Sequence, residues 1–296
     1  MTKILFWNVN RKPLDRLVAN FAAFHDLDIL LLAESEIAED DCLLALRDAT
    51  GDTYRFLGDL PRPGHHMTSR LHLYTRLGST VLGPLELRNQ APRTKIFRIH
   101  KHHETGMDTL LVLCHAPSKL RGGHESEQRK FFRRLADTIE VAEKQVRHRN
   151  MILVGDFNAD PFEAGLASIH GIQGVPTKGI ARRGHRRYDS RIHRFFYNPM
   201  WGLYGDRRDP AEFDEPEVPG TFYCKNGLDH RLYWHIYDQV LIRPSLLDRF
   251  PLDALEIIGR VGADPLLDRS GKPAPSDHLP LVFHIDLSED ADHVRH

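Results

Sequence analysis

The chain has 296 residues, enough to bury a large core in one large domain or two smaller ones. Its 40 lysines and arginines nearly balance 41 aspartates and glutamates, and the formal net charge of −1 excludes a global attraction to nucleic acid or to an anionic membrane. Any such attraction has to be local. The three cysteines have no paired spacing, which predicts neither a disulfide framework nor a zinc site and fits a reducing compartment.

The first predicted element lies in "MTKILFWNVNR" at the start of the sequence. Its apolar run is too short for a signal peptide or a transmembrane span, and no small-residue cleavage site follows it. We therefore expect a cytoplasmic protein without a membrane span. The sequence indicates no partner protein.

Eight short apolar runs bounded by turn residues predict β-strands. In chain order they are "KILFWNV", "LDILLLAE", "LHLYTR", "TKIFRIH", "TLLVLCH", "MILVGD", "YDQVLI" and "LPLVFHI". Apolar residues recur every three or four positions between residues 124 and 149, which predicts an amphipathic helix with a solvated charged face. Strands alternate with helices in places and follow one another directly in others. The pattern predicts an α/β (α+β) chain with a mixed sheet, or a pair of sheets, covered by helices.

The segment 178–208 differs from the rest of the chain in composition. It holds nine lysines or arginines and six aromatic residues, and an acidic, proline-bearing stretch follows it. We predict a long insertion or loop within a single domain of residues 1–288, with a polar tail at 289–296. Such a composition can follow a phosphate backbone and stack on bases. It is equally typical of a solvated loop whose aromatic residues, as in "FFYNPMW", pack inward.

The motif "GDFNADP", residues 155–161, follows the apolar run "MILV". One interpretation is a turn, because Gly, Asp, Asn and Pro supply turn geometry at the end of a strand. The other is a functional site, because residues i and i+2 of an extended segment lie on one face. Asp156 and Asn158 would then direct a carboxylate and a carboxamide at the same point. The motif alone does not decide between them.

Other predicted strands also end in polar residues. Asn8 and Asn10 follow the first strand, Glu34 follows the second, and His115 ends "LLVLCH". Each has a common structural explanation as a turn former or a paired buried group. Asp277 and His278, just before the last strand, are harder to explain in this way because a helix cap does not suit a following strand.

Taken in order, "WNVN", "AES", "CHAPS", "GDFNADP", "YDQVLI" and "SDHLPLVFHI" resemble the DNase I-like endonuclease/exonuclease/phosphatase superfamily over nearly the whole chain. The resemblance implies a four-layer sandwich of two packed mixed β-sheets flanked by helices, with the site at one edge. It also implies hydrolysis of a phosphoester that depends on Mg2+, for which Mn2+ can substitute.

The resemblance also implies roles for individual residues. The metal side would comprise Glu34, Asn8, Asp277 and Asn10. His115 would contact phosphate, Asp156 and Asn158 would activate and orient water, and His278 would act on the scissile phosphate, held by Asp238. The predicted substrate-binding residues are Lys119, Arg182, Arg183, Arg186 and Arg187.

Two features depart from the family pattern. Glu36 stands where relatives that cut DNA carry a basic residue, two positions after the metal glutamate. The sequence "YDQ" replaces the usual Asp-His or Asp-Tyr, and we prefer Asp238 over Asp229 as the partner of His278 because of its strand context.

Three functions are compatible with these residues. The first is a nuclease or phosphodiesterase whose substrate is DNA or RNA. The second is a phosphatase or phosphodiesterase for small or inositol-type phosphates. Members of the superfamily share one site, and their loops determine which substrate each member accepts. The third is an inactive binding scaffold. An inactive protein would be expected to lack some of the catalytic residues, whereas every position named above carries a residue suited to its role.

Overall fold

The structure is a computed structural model that describes residues 1–58, 70–100, 107–119, 125–204, 218–225 and 234–287. Asp229 and the predicted tail at 289–296 lie outside the described residues. The strands are β1 Thr2–Asn8, β2 Ile29–Ala33, β3 Arg55–Phe56, β4 His72–Thr75, β5 Leu82–Pro84, β6 Thr94–Ile99, β7 Thr109–His115, β8 Met151–Asp156, β9 Gly174–Val175, β10 His185–Tyr188, β11 Arg191–Arg194, β12 Phe196–Tyr197, β13 Phe222–Tyr223, β14 Trp234–His235, β15 Asp238–Ile242, β16 Leu255–Ile257, β17 Arg260–Val261, β18 Asp264–Pro265 and β19 Leu281–Ile285. The helices are α1 Asp15–His25, α2 Glu39–Thr50, α3 Glu125–Val146, α4 Ala164–Ala167 and α5 Lys178–Ala181, with two 3₁₀ helices, η1 Pro199–Leu203 and η2 Pro244–Arg249.

Two large sheets contain the longer strands. The first has six strands in the order β16-β19-β1-β2-β4-β3, and the second has seven in the order β5-β6-β7-β8-β15-β12-β9. Each sheet is mixed: β1 and β2 run parallel, as do β7 and β8, while β15 and β19 run antiparallel to their neighbours. Parallel neighbours end at the same edge of a sheet, and this property positions the site described below.

The two faces of the second sheet belong to different parts of the core. Leu111 and Leu113 of β7 pack with residues of the first sheet and of α1 and α2. Leu110 and Val112 pack instead with Phe132 and other residues of α3. This alternation is what a strand buried on both faces produces. The mixed α/β class and the pair of packed sheets predicted from the sequence are confirmed.

Predicted and observed elements agree closely for the apolar runs. All eight runs form strands, and the periodic segment 124–149 forms α3, Glu125–Val146. None of the described helices is long and apolar enough to cross a membrane. The three cysteines are free and buried.

The segment 178–208, which the sequence predicts as a long insertion or loop, contains regular structure in its described part. Residues 178–204 contain α5, a hairpin of β10 and β11, the strand β12 that joins the second sheet, and η1. Phe196, Tyr197 and Met200 are buried in the core. Of the two interpretations left open by the sequence, the inward packing of "FFYNPMW" applies to these buried residues, whereas the arginine-rich half forms the exposed hairpin.

Candidate active site

The predicted site residues converge because two pairs of parallel strands, one in each sheet, end at the site. Asn8, His115 and Asp156 are the last residues of β1, β7 and β8, and Glu34 follows β2 directly. Asp238 begins the antiparallel strand β15 at the same edge, paired with Asp156. Residues separated by more than 200 positions in sequence thus share one location.

Asp156 lies at the centre of this cluster and is almost completely buried. Its carboxylate accepts hydrogen bonds from Asn8 Nδ2 at 3.0 Å and from the backbone N–H of Asn158 at 2.8 Å. One carboxylate oxygen lies 3.6 Å from His115 Nε2 and 3.9 Å from His278 Nε2. Burial raises the pKa of Asp156 to about 7, although His278 opposes this shift. The carboxylate is therefore able to accept a proton near neutral pH.

His278 forms a dyad with Asp238. The distance from its Nδ1 to Asp238 Oδ2 is 2.8 Å, and both side chains are buried. Burial disfavours the charged ring, but Asp238 and Asp156 outweigh it and raise the pKa of His278 to about 10. Asp238 orients the ring, and the charged ring carries its second N–H on Nε2, 3.9 Å from Asp156 Oδ2.

His115 is buried between two carboxylates and differs from His278 in charge. Its Nε2 lies 3.6 Å from Glu34 Oε1 as well as from Asp156. Burial lowers the pKa of His115 to about 4, despite the opposing effect of Glu34. The cluster therefore holds one neutral and one charged imidazole at neutral pH.

Several residues around the site have left-handed backbone conformations that are uncommon outside glycine. Asn10, Arg11, Glu34 and Asn158 have φ values of 45°, 59°, 48° and 47°. Such conformations cost free energy and persist where surrounding structure fixes them. Hydrogen bonds do so here: Asn158 Nδ2 donates to the carbonyl of Ala116, and the backbone N–H of Arg11 donates to the carbonyl of Glu34. "GDFNADP" thus forms both a turn and part of the cluster.

Two groups of residues could hold a metal ion. Asp156, Asp238 and His278 place one ligand atom each within 4.8 Å of one another. All three are buried, and Asp238 already accepts from His278, so this group offers little room for the water molecules that Mg2+ retains. Glu34 is partly exposed, with 26% of its side chain accessible, and it presents oxygen toward the same cluster. Hard divalent cations favour the oxygen ligand of Glu34 over the buried group of Asp156, Asp238 and His278.

The remaining predicted metal residues flank Glu34. Asn10 Nδ2 donates to Asp277 Oδ1 at 2.9 Å, and Asn8 Oδ1 accepts from the Asn10 backbone. Arg11 Nε lies 3.5 Å from Glu34 Oε2 and 4.0 Å from Glu36, which in turn pairs with Arg70 at 2.9 Å. The acidic Glu36 therefore has two arginine neighbours.

A second Asp–His dyad beside the site was not predicted from the sequence. Asp160 accepts from Tyr204 at 2.6 Å and pairs with His235 Nδ1 at 2.8 Å. Burial alone would raise the pKa of Asp160, but hydrogen bonds from His235 and Tyr204 outweigh it and lower that pKa. In the sequence, only its position in the motif "GDFNADP" points to Asp160. No feature of the sequence distinguishes His235 from the other histidines, of which the chain has 19 in total.

The predicted substrate-binding residues divide into two groups. Lys119 lies close to the cluster: it pairs with Glu163, whose carboxylate accepts from the Asp160 backbone, and its Nζ is 5.9 Å from the Tyr237 ring centroid. The four arginines at 182, 183, 186 and 187 do not join the cluster. Arg182 pairs with Asp248 beyond the far end of β15, and Arg186 donates to Gln173.

The sequence profile of the endonuclease/exonuclease/phosphatase family matches residues 5–278. The chain belongs to this family. Its members are phosphoester hydrolases and generally require a divalent metal, and the buried acidic and histidine cluster lies within the matched residues. A comparison with curated protein sequences gave no significant match.

Several solved structures share this fold at low sequence identity. One is the 3′ phosphatase NExo from Neisseria bound to a product DNA hairpin, with a TM-score of 0.57 and 17% identity over 97% of this chain and 100% of that one. Another is a mannosyl-6-phosphatase from Bacteroides thetaiotaomicron, with a TM-score of 0.56 and 14% identity over 97% and 100%. A third is the endonuclease domain of TRAS1, a telomere-specific retrotransposon, with a TM-score of 0.54 and 17% identity over 97% and 99%.

Proposed function

We propose that this protein is a divalent-metal-dependent phosphodiesterase that hydrolyses nucleic acid, by attack of water on phosphorus. The observation that supports this proposal best is the arrangement around Asp156. A buried carboxylate with a pKa of about 7 lies 3.9 Å from an imidazole with a pKa of about 10. A proton acceptor and a cation thus face the same small volume, as attack on an anionic phosphodiester requires.

Glu34 is the principal residue proposed to hold the metal, with Asn8, Asn10 and Asp277 around it. The donor set is composed of oxygen atoms, which suits Mg2+ and its substitute Mn2+. When bound, the cation supplies positive charge that polarises a phosphoryl oxygen.

Asp156 takes a proton from the attacking water, and Asn158 helps to orient that water. The hydrogen bonds from Asn8 and from the Asn158 backbone hold the carboxylate in place before substrate arrives. Preorganisation of this kind lowers the barrier because no reorientation is needed during the reaction.

His278 stabilises negative charge on the phosphate, and Asp238 keeps the ring charged and oriented. His115, neutral at physiological pH, provides a hydrogen bond to phosphate without adding charge. The roles of these residues are distinguished by environment, since both rings are buried but only His278 has a carboxylate at hydrogen-bonding distance.

Nucleic acid is proposed over a small phosphate ester because of the surface beside the cluster. Phe162 and Tyr204 are 55% and 36% exposed, and their ring centroids lie 5.7 Å apart. Tyr204 is fixed through its hydrogen bond to Asp160, and Lys119 lies on the same side of the motif. Exposed aromatic rings beside a phosphate site can stack on bases, which an inositol phosphate lacks.

A substrate panel tests the proposal: single- and double-stranded DNA, RNA, an abasic duplex and inositol phosphates, each with Mg2+, Mn2+ or EDTA. We expect hydrolysis of at least one nucleic acid with Mg2+ or Mn2+ and none in EDTA. Asp156→Asn, purified in the same way, controls for contaminating nucleases. Turnover of inositol phosphates alone would overturn the proposed substrate, and full activity in EDTA would overturn the proposed metal.

A further inference from the structure

The hairpin of β10 and β11, residues 185–194, carries four arginines, and we call it the basic arm. Its strands pair in the register His185↔Arg194 to Tyr188↔Arg191, and Asp189 and Ser190 form the turn with φ values of 46° and 57°. All four residues of β10 are exposed, and Tyr188 is 58% accessible. Directly paired residues point to the same side. Arg191 therefore lies on one face of the arm and Arg187 on the other.

Charge is concentrated in and next to this arm. Residues 182–194 contain six arginines and a single acid, Asp189, in a chain whose net charge is −1. Arg182 is paired with Asp248 and Arg186 with Gln173. The side chains of Arg187 and Arg191 make no hydrogen bond or ion pair with any part of the chain that the structure describes. No described carboxylate pairs with either guanidinium group, which favours an anionic partner.

The arm is rooted at the end of the second sheet opposite to the catalytic cluster. Arg243, the residue after β15, donates to the backbone carbonyls of Arg194 and Phe195 and is held by an ion pair with Glu143 at 2.7 Å. Asp238, at the other end of β15, belongs to the cluster. Five residues of extended chain separate the two ends by about 17 Å.

A groove of 440 Å³ adjoins the base of the arm and extends the positive surface. Arg194 of the arm lines it together with Lys144, Arg147 and Arg149 from the end of α3 and the following turn. Glu140 and Glu143 also line it: Lys144 Nζ lies 3.7 Å from Glu140, and Arg149 Nε lies 3.9 Å from Glu143, which Arg243 also engages. Arg194 belongs to both the arm and the groove, and neither Arg194 nor Arg147 forms an ion pair with a described residue, so positive charge continues from the arm into the groove.

We propose that the basic arm and its groove bind the phosphate backbone of a nucleic acid at a second site, remote from the catalytic cluster. This inference rests on the proposed function and specifies the substrate further, as a polymer long enough to reach both sites. A duplex covers about 17 Å in roughly five base pairs, so shorter substrates contact only the catalytic cluster.

The chemistry of the arm favours nucleic acid over an acidic protein or a membrane. Guanidinium groups bind phosphate through paired, planar hydrogen bonds, and a two-stranded ribbon fits a nucleic-acid groove. Tyr188 adds an exposed ring that can stack on a base or contact a sugar. The tip is Asp189–Ser190, which is polar and therefore unsuited to entering a lipid bilayer.

The test is binding of a fluorescent duplex of roughly 20 base pairs, measured by anisotropy in EDTA at several salt concentrations. For the double variant Arg187→Ala/Arg191→Ala we expect Kd to rise about tenfold or more, and the slope of log K against log salt to fall by about 2, because each lost phosphate contact removes about 0.9. Arg187→Lys/Arg191→Lys should retain most of the salt dependence. Arg133→Ala/Arg134→Ala removes two exposed arginines from α3 and should leave Kd unchanged.

Unchanged Kd and slope in the Arg187/Arg191 double alanine variant would overturn the inference. Equal affinity of the parent protein for polyglutamate and for the duplex would overturn the assignment to nucleic acid.

Hydrolysis of a dinucleotide with Mg2+ separates the two proposals, because the arm cannot contact so short a substrate. Loss of binding with normal dinucleotide turnover supports both. Arm-dependent binding by a parent protein that hydrolyses no nucleic acid would overturn the proposed function alone.

Discussion

His278 stays charged well above neutral pH because Asp238 accepts a hydrogen bond from Nδ1. We expect Asp238→Asn to lower the pKa of His278 from about 10 towards or below its ordinary value of 6.5. The pKa falls because burial lowers it and, in this variant, the carboxylate of Asp238 no longer opposes the effect of burial. An NMR pH titration of the metal-free protein measures the shift. A pKa of His278 that stays near 10 in this variant would contradict Asp238 as the partner.

Asp160→Asn is the matched control for that titration. It removes a buried carboxylate from the neighbouring dyad with His235 and leaves Asp238 in place. The pKa of His278 should therefore hardly change.

The raised pKa of His278 also makes the stability of the fold depend on pH. Because folding raises the pKa of His278, the stabilising contribution of the charged ring is complete below pH 6.5 and is lost as the pH rises through about 10.

Asp156→Asn should cut the rate of hydrolysis by about a hundredfold or more and leave the protein folded, because an amide cannot accept a proton from water. Circular dichroism and thermal unfolding establish that the fold is intact. Asp137→Asn, on the exposed face of α3, controls for the loss of a carboxylate. If Asp156→Asn retained more than about a tenth of the parent rate, the assignment as general base would be wrong.

The sequence predicted which residues meet at the site better than it predicted how they interact. Polar residues at strand ends indicated Asn8, Glu34, His115 and Asp156, because parallel strands that end together place their last residues together. The neutral state of His115 and the charged state of His278 depend on burial and on distances of a few ångströms, which sequence spacing does not specify. The assigned roles stay predictions until the variants are measured.

At the scale of elements, Gly155 shows how closely β7 and β8 approach just before the site. A Cβ atom at Gly155 would lie 2.0 Å from the backbone oxygen of Cys114. We expect Gly155→Ala to lower the free energy of unfolding by about 3 kcal/mol, because the backbone of Cys114 cannot move away from the new methyl group as a flexible side chain could. Urea unfolding measures the loss.

Gly83→Ala is the control for this substitution. Gly83 lies in strand β5, and a Cβ there would have no neighbouring atom within 4 Å. Its effect should stay within about 0.5 kcal/mol. Comparable losses at Gly155 and Gly83 would mean that strand propensity, and not contact with Cys114, sets the cost.

Elements with long apolar runs were predictable, and short ones were not. β7 was predicted at its observed bounds, Thr109–His115, because its side chains are buried on both faces and give an uninterrupted apolar signal. β12 has only two residues, Phe196–Tyr197, and pairs with β9 and β15 through contacts distant in sequence. Two residues cannot carry a periodic pattern, so the sequence does not indicate this strand.

At the scale of the whole molecule, binding of the proposed metal should stabilise the native state. A ligand that binds only the folded chain at about 100 times its Kd adds about 2.7 kcal/mol to the free energy of unfolding. We therefore expect Mg2+ to raise the melting temperature of the parent protein and to have little effect on Glu34→Gln. Glu256→Gln, which changes an exposed glutamate of β16, should respond like the parent. The same increase in Glu34→Gln would contradict Glu34 as the main ligand.

The pairing of β1 with β19 supports the proposal that residues 1–288 form one domain. The register Thr2↔Ile285 to Phe6↔Leu281 joins the two ends of the described chain within one sheet. β1 lies between β19 and β2, so the first sheet is incomplete without either end. Contacts of such long range predict slow folding relative to a helical protein of this size.

The same pairing has a consequence during translation. Asn8 and Asp156 leave the ribosome long before His278, which comes just ahead of β19. At about 5–20 residues per second, roughly 15–55 s separate the synthesis of β1 from that of its partner strand. The nascent polypeptide therefore lacks the proposed catalytic imidazole throughout this interval. The proposed phosphodiesterase activity therefore arises only when translation is nearly complete.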